Sequence, residues 1–499
     1  MARRHMARNA SSCRNQKSRF DYVAKSSRPM TALEQLGAFV AQAGAPSARL
    51  REILALHVAD IVGAWIASLR TPEGAALLRW RAASGEDAVP GSMHRVRLDV
   101  PTHCALARLS EVDDIHLAST TTPGAIVVPG AVSVAATLRN GDPDALAAAM
   151  IAGYEVMVRF GQAIDGPQVL YRGIWPTYFV APLGIAAVAA RLLDLDALQC
   201  AHALALALVR SAPGAGHHNL STTSRWLAVG QAAETGLAAA LAARAGFTSD
   251  LGLLDGGYLR GVFDLKPNLV VLADELGEGF RLEEVAFKPW CAARQTMAAT
   301  QALIEIIESE IPGDAITQVT AFVLPLHRRM IDHGIAIGNR ASFLTSLPYQ
   351  LAVAALAPHT AWDIGQAPAS VADHIRAFMD RVAIAPDETL LSRFPSQWPA
   401  RIEVVTSSRR YERTVTDVPG DPARPFNRDA VRAKFHRFVG PAIGPAACEQ
   451  RLAGAFGLLS GDTDAAGLLR QIEKSRFLTH PSLQSIRRDR SIESDNSET

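Results

Sequence analysis

Much that would announce a function is scarce in this 499-residue chain. Its five cysteines (Cys13, Cys104, Cys200, Cys291 and Cys448) stand at no CxxC or Cys/His ligand spacing. Neither a disulfide framework nor a zinc site is therefore indicated, and a reducing cytoplasm is the expected compartment. An excess of one charge is missing too. Fifty basic against forty-nine acidic side chains leave a formal +1, which supplies no global field for nucleic acid or an anionic membrane. Any anion selectivity must be local. No window approaches eighteen consecutive apolar residues, so no span of a bilayer is expected. The basic N-terminus leads into no signal-type apolar run, because Ala32 to Ala45 carries Glu34, Gln35 and Gln42. Nucleotide signatures are absent as well. The nearest approach, Gly252 to Gly261, follows no strand pattern and reads as a turn, and there is no GxSxG. His217-His218 lacks a third ligand at metal spacing.

What is present is a globular composition, 48% hydrophobic and 20% charged, at a length that predicts about two domains. Three-to-four-residue apolar spacing predicts helices over Ala32 to Ala41, Ser47 to Ser68, Pro101 to Ile115, Ala125 to Leu138, Pro143 to Ile164, Phe179 to Leu193, Ala197 to Ser211, Arg225 to Ala245 and Gly256 to Val262. Beyond about residue 275, β-branched alternation predicts strands at Ile316 to Leu324, Arg401 to Val405 and Tyr411 to Val418, with helices between them. The expected fold class is mainly α: a large all-helical domain plus a smaller α+β lid domain. The expected boundaries are 30–275 for the helical domain, completed by 421–478, and 276–420 for the lid. Residues 1–29 and 479–499 read as disordered extensions.

The most charged short stretch is Glu111-Val112-Asp113-Asp114-Ile115-His116, placed where an apolar helical pattern gives out. Acids at a helix C-terminus cost a few tenths to about 1 kcal/mol each unless compensated. Two explanations fit, a solvated helix end or a pocket wall whose carboxylates or imidazole move a proton against counter-charges from elsewhere. Tyr171-Arg172, Arg225-Trp226 and Lys288-Pro289-Trp290 each precede an apolar helix in Gly/Pro-punctuated surroundings. Singly each reads as a capped helix start; jointly they make a site for a small polycarboxylate.

Several separated motifs, in order, carry a resemblance. Gly153-Tyr154-Glu155-Val156, Trp175-Pro176-Thr177 leading into Pro182-Leu183-Gly184, Arg225 to Gly236, Phe287-Lys288-Pro289-Trp290-Cys291 and Ser346-Leu347-Pro348-Tyr349 are similar to the MmgE/PrpD family, over about residues 32 to 475. That family contains 2-methylcitrate dehydratase, cis-aconitate decarboxylase and iminodisuccinate epimerase. The resemblance implies a homodimer, no cofactor, and an active site in the cleft between the two domains. Where relatives carry Asp-x-Asp-Asp-Thr followed by His-Pro, this chain has Glu111, Asp113, Asp114, Ile115 and then Thr122-Pro123. A second family histidine is replaced by Trp175, a lysine by Arg225, and a third histidine falls at Ala293 beside Arg294. Lys288 and Tyr349 match.

The resemblance therefore implies a lyase, of hydro-lyase type, that abstracts an α-proton from a small di- or tricarboxylate. An epimerase using the same carbanion, and a catalytically silent carboxylate-binding dimer, stay open beside it. The candidate catalytic residues are Asp113, Asp114, His116, Lys288 and Tyr349. The candidate substrate-binding residues are Thr122, Tyr171, Arg172, Trp175, Arg225 and Arg294. No metal site is expected.

Overall fold

The computed structural model describes residues 28–85, 91–214, 222–364 and 370–479. Most of the expected tails and the His217-His218 pair fall outside them. The fold is mainly helical with one small four-stranded sheet in the C-terminal region, the class the sequence predicts.

At the centre lie helices with almost no polar face. Gly124–Leu138, Pro143–Ala163 and Pro176–Leu192 carry long buried stretches, and Ala197–Leu208 and Ser224–Arg244 pack beside them through one buried face each. Small residues set their closeness. A Cβ on Gly236 would stand 2.2 Å from the Pro182 carbonyl oxygen, so glycine lets the Ser224–Arg244 and Pro176–Leu192 helices meet backbone to backbone. The helix Arg428–Ile443 returns from the C-terminal region to the Ala48–Ser68 helix, where the Phe435 ring lies over Gly63.

Boundaries moved where capping overrode periodicity. The expected Pro101 to Ile115 helix runs instead over Met93–Leu109, because the Ser92 hydroxyl caps the N–H of Arg95. Pro101 sits inside it rather than opening it. The acidic stretch thus lies beyond the helix, in an irregular turn. A further helix, Pro72–Gly85, has weak apolar periodicity and was not expected.

The sheet has the order β2-β1-β3-β4, with β1 Gln318–Val323, β2 Val382–Pro386, β3 Ala400–Val405 and β4 Arg410–Val415. β3 and β4 form the expected hairpin, with Ile402 opposite Arg413. β2 was not expected; it pairs parallel to β1, Val319 opposite Val382. Its Val-Ala-Ile-Ala-Pro run is too short and too alanine-rich for a β-branched signal. Alternate residues Val319, Ala321 and Val323 of β1 and Ala400, Ile402 and Val404 of β3 are buried. The helix Arg294–Ser309 packs on β3 and β4, and Met297, Ala298 and Leu303 are among its buried residues. The first residue of that helix is Arg294, which faces the helical bundle.

Candidate active site

The turn after Leu109 is held by cations from distant stretches. Arg340 donates to the carbonyl oxygens of Leu109 at 2.8 Å and Ser110 at 3.0 Å, which closes the helix end. Lys434 donates to the Val112 carbonyl at 2.7 Å and pairs with Asp60. These charges supply the compensation an acidic helix C-terminus requires. Glu111 itself adopts the left-handed region, φ 58°, as does Thr120 at φ 55°. Such backbone costs a non-glycine residue on the order of 1–3 kcal/mol and tends to gather at functional sites.

A short antiparallel bridge then joins the turn to the Lys288 stretch: Ile115 N–H donates to the Ala286 carbonyl at 2.8 Å, and the reverse bond is 2.7 Å. Lys288, 2% exposed, consequently reaches Asp113 Oδ1 at 3.3 Å and Glu111 Oε2 at 3.4 Å. Arg108 lies 3.1 Å from Glu111 Oε1 and 3.3 Å from Asp113 Oδ1, and Arg225 donates to Glu111 Oε1 at 3.0 Å. Three cations and two carboxylates thus form one buried cluster. Burial disfavours the Glu111 carboxylate, yet Arg108, Lys288 and Arg225 together hold it well below the usual carboxylate range. At Asp113 burial dominates and raises the carboxyl, despite Arg108 and Lys288. Asp113 Oδ2 has no hydrogen-bond partner.

The cluster faces a narrow cavity of about 50 Å³. Arg108, Glu111, Arg225, Lys288 and Arg294 line it, with Thr120, Thr122, Thr177 and Gln295. Ile115, Leu170, Trp175, Met330 and Leu344 form its apolar wall. Arg225 is sandwiched between two indoles, its guanidinium carbon 4.7 Å from the Trp175 ring and 4.4 Å from that of Trp226. Arg294 donates one bond, 2.6 Å, to Asp421, while its Nε and Nη1 have no hydrogen-bond partner. Residues of the helical bundle and of the helix covering the sheet therefore meet across this one space.

Of the residues expected in the site, Lys288, Arg225, Arg294, Trp175 and Thr122 line the cavity, and Asp113 stands directly behind Lys288. The others lie elsewhere. Asp114 accepts from Gly124 N–H at 2.8 Å, Tyr154 hydroxyl at 2.8 Å and His57 at 3.0 Å, so its oxygens are committed to the start of the Gly124–Leu138 helix. His116 takes the Ser119 N–H on Nδ1 and points Nε2 at Glu284, 3.1 Å away, outside the cavity lining. Tyr349 packs edge-on against Phe343 in the C-terminal region and does not line the cavity. Arg172, expected to bind substrate, lies 45% exposed at the surface and binds the Phe263 and Asp264 carbonyls and the Asp264 carboxylate. Tyr171 is buried under Arg329, whose guanidinium carbon is 5.6 Å from the ring, and it too is absent from the lining.

Arg108 was missed. Its signal was a basic residue in the last turn of an otherwise apolar helix, just ahead of the acidic stretch. Glu111 was noticed but not assigned to the site. No group of three or more His, Cys, Asp or Glu suited to a metal occurs among the described residues.

Comparison with curated proteins returns no match. Family models do match. The MmgE/PrpD N-terminal domain aligns with residues 34–267 and the MmgE/PrpD C-terminal domain with residues 290–456, so Arg108, Glu111 and Arg225 fall in the first and Arg294 in the second. Both halves being present in order, and between them covering most of the chain, this protein belongs to the MmgE/PrpD family.

Proposed function

We propose that this protein is a lyase acting on a small carboxylate by removing the proton α to the carboxylate group. Membership of the family points to dehydratase-type activity on small carboxylates. The observation that carries the reading is the convergence of Arg108, Arg225, Lys288 and Arg294, from both halves of the chain, on one buried cavity. Cations fixed in a dry site stabilise the enolate-like charge that follows α-proton loss, usually the largest catalytic contribution.

Lys288 is the proton-transfer group in this reading, and Asp113 is its partner. When Asp113 takes the ammonium proton across the 3.3 Å contact, the amine can accept the α-proton, leaving the C–H electrons on the substrate as an enolate. A β-hydroxyl then departs with its bonding electrons, collects the proton from Lys288 and leaves as water. Return of that proton to the same carbon gives exchange, and its delivery to the opposite face gives epimerisation.

A second reading, a catalytically silent carboxylate binder, draws on Trp175. Its indole lines a cavity of only about 50 Å³ and stacks on Arg225, so it occupies room a substrate would use. Proton NMR in deuterium oxide separates the two. The protein and its Lys288→Ala variant are incubated with a panel of small 2- and 3-hydroxy and unsaturated carboxylates. Loss of an α-proton signal with the parent and not with the variant is expected. Exchange that persists in Lys288→Ala removes Lys288 from the role. Binding without exchange for every member replaces the lyase reading with the silent one.

A further inference from the structure

Asp113 and Lys288 come from segments far apart in the chain, and the antiparallel bridge between Ile115 and Ala286 sets their register. Counted from that bridge, Asp114 stands opposite Phe287 and Asp113 opposite Lys288. Beyond Ile115 and Ala286 the two segments exchange no further backbone bond among the described residues, and the Phe287 N–H turns instead to the Gly420 carbonyl at 2.9 Å. The rung between the bridge and the Asp113–Lys288 pair is therefore held by side chains. One imidazole touches both of its members. His57, 1% exposed on the Ala48–Ser68 helix, donates from Nδ1 to Asp114 Oδ2 at 3.0 Å. Its ring stacks on that of Phe287, with centroids 4.3 Å apart and planes 14° apart. The same helix reaches the near side of Asp113 as well, because Asp60, one turn further on, pairs with the Lys434 that grips the Val112 carbonyl.

We infer that His57 is a positioning residue for the Asp113–Lys288 pair. Its bond to Asp114 fixes one segment, its stack on Phe287 fixes the other, and the imidazole between them sets the 3.3 Å gap across which the proton moves. Proton transfer needs the two groups within hydrogen-bond reach, so a looser rung slows it without changing any contact to substrate. This rests on the proton-transfer role proposed for Lys288 and adds to it a residue that does not line the cavity.

Two variants divide the contacts. His57→Phe keeps a ring against Phe287 and loses the bond to Asp114, whereas His57→Asn keeps a donor near Asp114 and loses the ring. Amide hydrogen exchange of the full chain reads the bridge with no substrate present. The Ile115 and Ala286 amides should exchange faster in each variant, by about tenfold or more beyond any change at the amides of β1, which pair on both sides within the sheet. Equal acceleration at bridge and sheet would assign His57 to overall stability alone, and an unchanged bridge would mean that it holds neither segment; either result overturns the inference. The chemical consequence is read with any carboxylate whose α-proton the parent exchanges in deuterium oxide. The saturated exchange rate should fall about tenfold or more in each variant, while the half-saturating concentration stays within about twofold. An unchanged rate overturns the positioning role. A parent that exchanges no carboxylate ends the lyase reading, and the amide measurement still decides whether His57 clamps the two segments.

Discussion

Lys288 Nζ and Asp113 Oδ1 stand 3.3 Å apart with neither side chain reaching solvent. Removing one member costs the other its nearest partner, although Asp113 keeps Arg108 and Lys288 keeps Glu111, whereas removing both takes away the desolvation together with the attraction. Lys288→Met should therefore destabilise the protein by about 3–5 kcal/mol, and Lys288→Met with Asp113→Asn should recover a sizeable part of that loss. Urea midpoints of the two single variants and the double variant check this. Additive losses would mean that the pair does not act as a unit.

Asp114 fixes the start of the central Gly124–Leu138 helix, and a methyl group has no room there. A Cβ on Gly124 would stand 2.3 Å from Asp114 Oδ2 and 2.5 Å from the Tyr154 hydroxyl. Gly124→Ala should cost about 1–3 kcal/mol through overpacking, and Tyr154→Phe about 1–3 kcal/mol through the lost charge-assisted bond. In the double variant the two costs should sum to less than the separate values, because loss of the Tyr154 hydroxyl removes one of the clashing atoms. Denaturant melts of the three variants measure this.

Two buried histidines contribute to the acid limb of stability. Burial pushes His103 down to about 3, with Asp99 pulling the other way, and burial with Arg294 beside it pushes His327 to about 3. Both values lie below the unfolded value of about 6.5. The unfolded chain therefore binds more protons between these limits, and stability is fully present above about pH 6.5 and declines as pH falls toward 3. His327→Gln, which cannot titrate, should flatten that decline between pH 6.5 and 5 relative to the parent protein. Equal slopes in urea melts at pH 7.5, 6.5 and 5 would remove His327 from the account.

The sequence made the helical bundle legible because its central helices are apolar on nearly every face, and the β3–β4 hairpin legible because its strands alternate. The Pro72–Gly85 helix and β2 were hidden for the opposite reason, having little periodicity to read. The site was half legible. Lys288 and Arg225 are charges in apolar surroundings, and a buried charge needs a partner, so they could be picked out one by one, whereas Arg294 came only from the resemblance, beside Ala293. Which acid answers them could not. Glu111, Asp113 and Asp114 are neighbours in the chain, but a turn outside any helix sends them three ways: Glu111 into the cavity, Asp113 behind Lys288, and Asp114 to Gly124. Arg172 and Arg294 look alike as letters. Only the sheet, with the helix that crosses it, carries Arg294 inward and leaves Arg172 at the surface.

The left-handed backbone at Glu111 bears on any attempt to make this protein hardier. A search that ranks substitutions by heat resistance alone would be drawn to Glu111→Gly, since glycine adopts that conformation freely. The same change would strip the one carboxylate that Arg108, Arg225 and Lys288 share and set those cations against one another. Backbone ease and the charge balance of the cavity therefore compete at a single torsion angle.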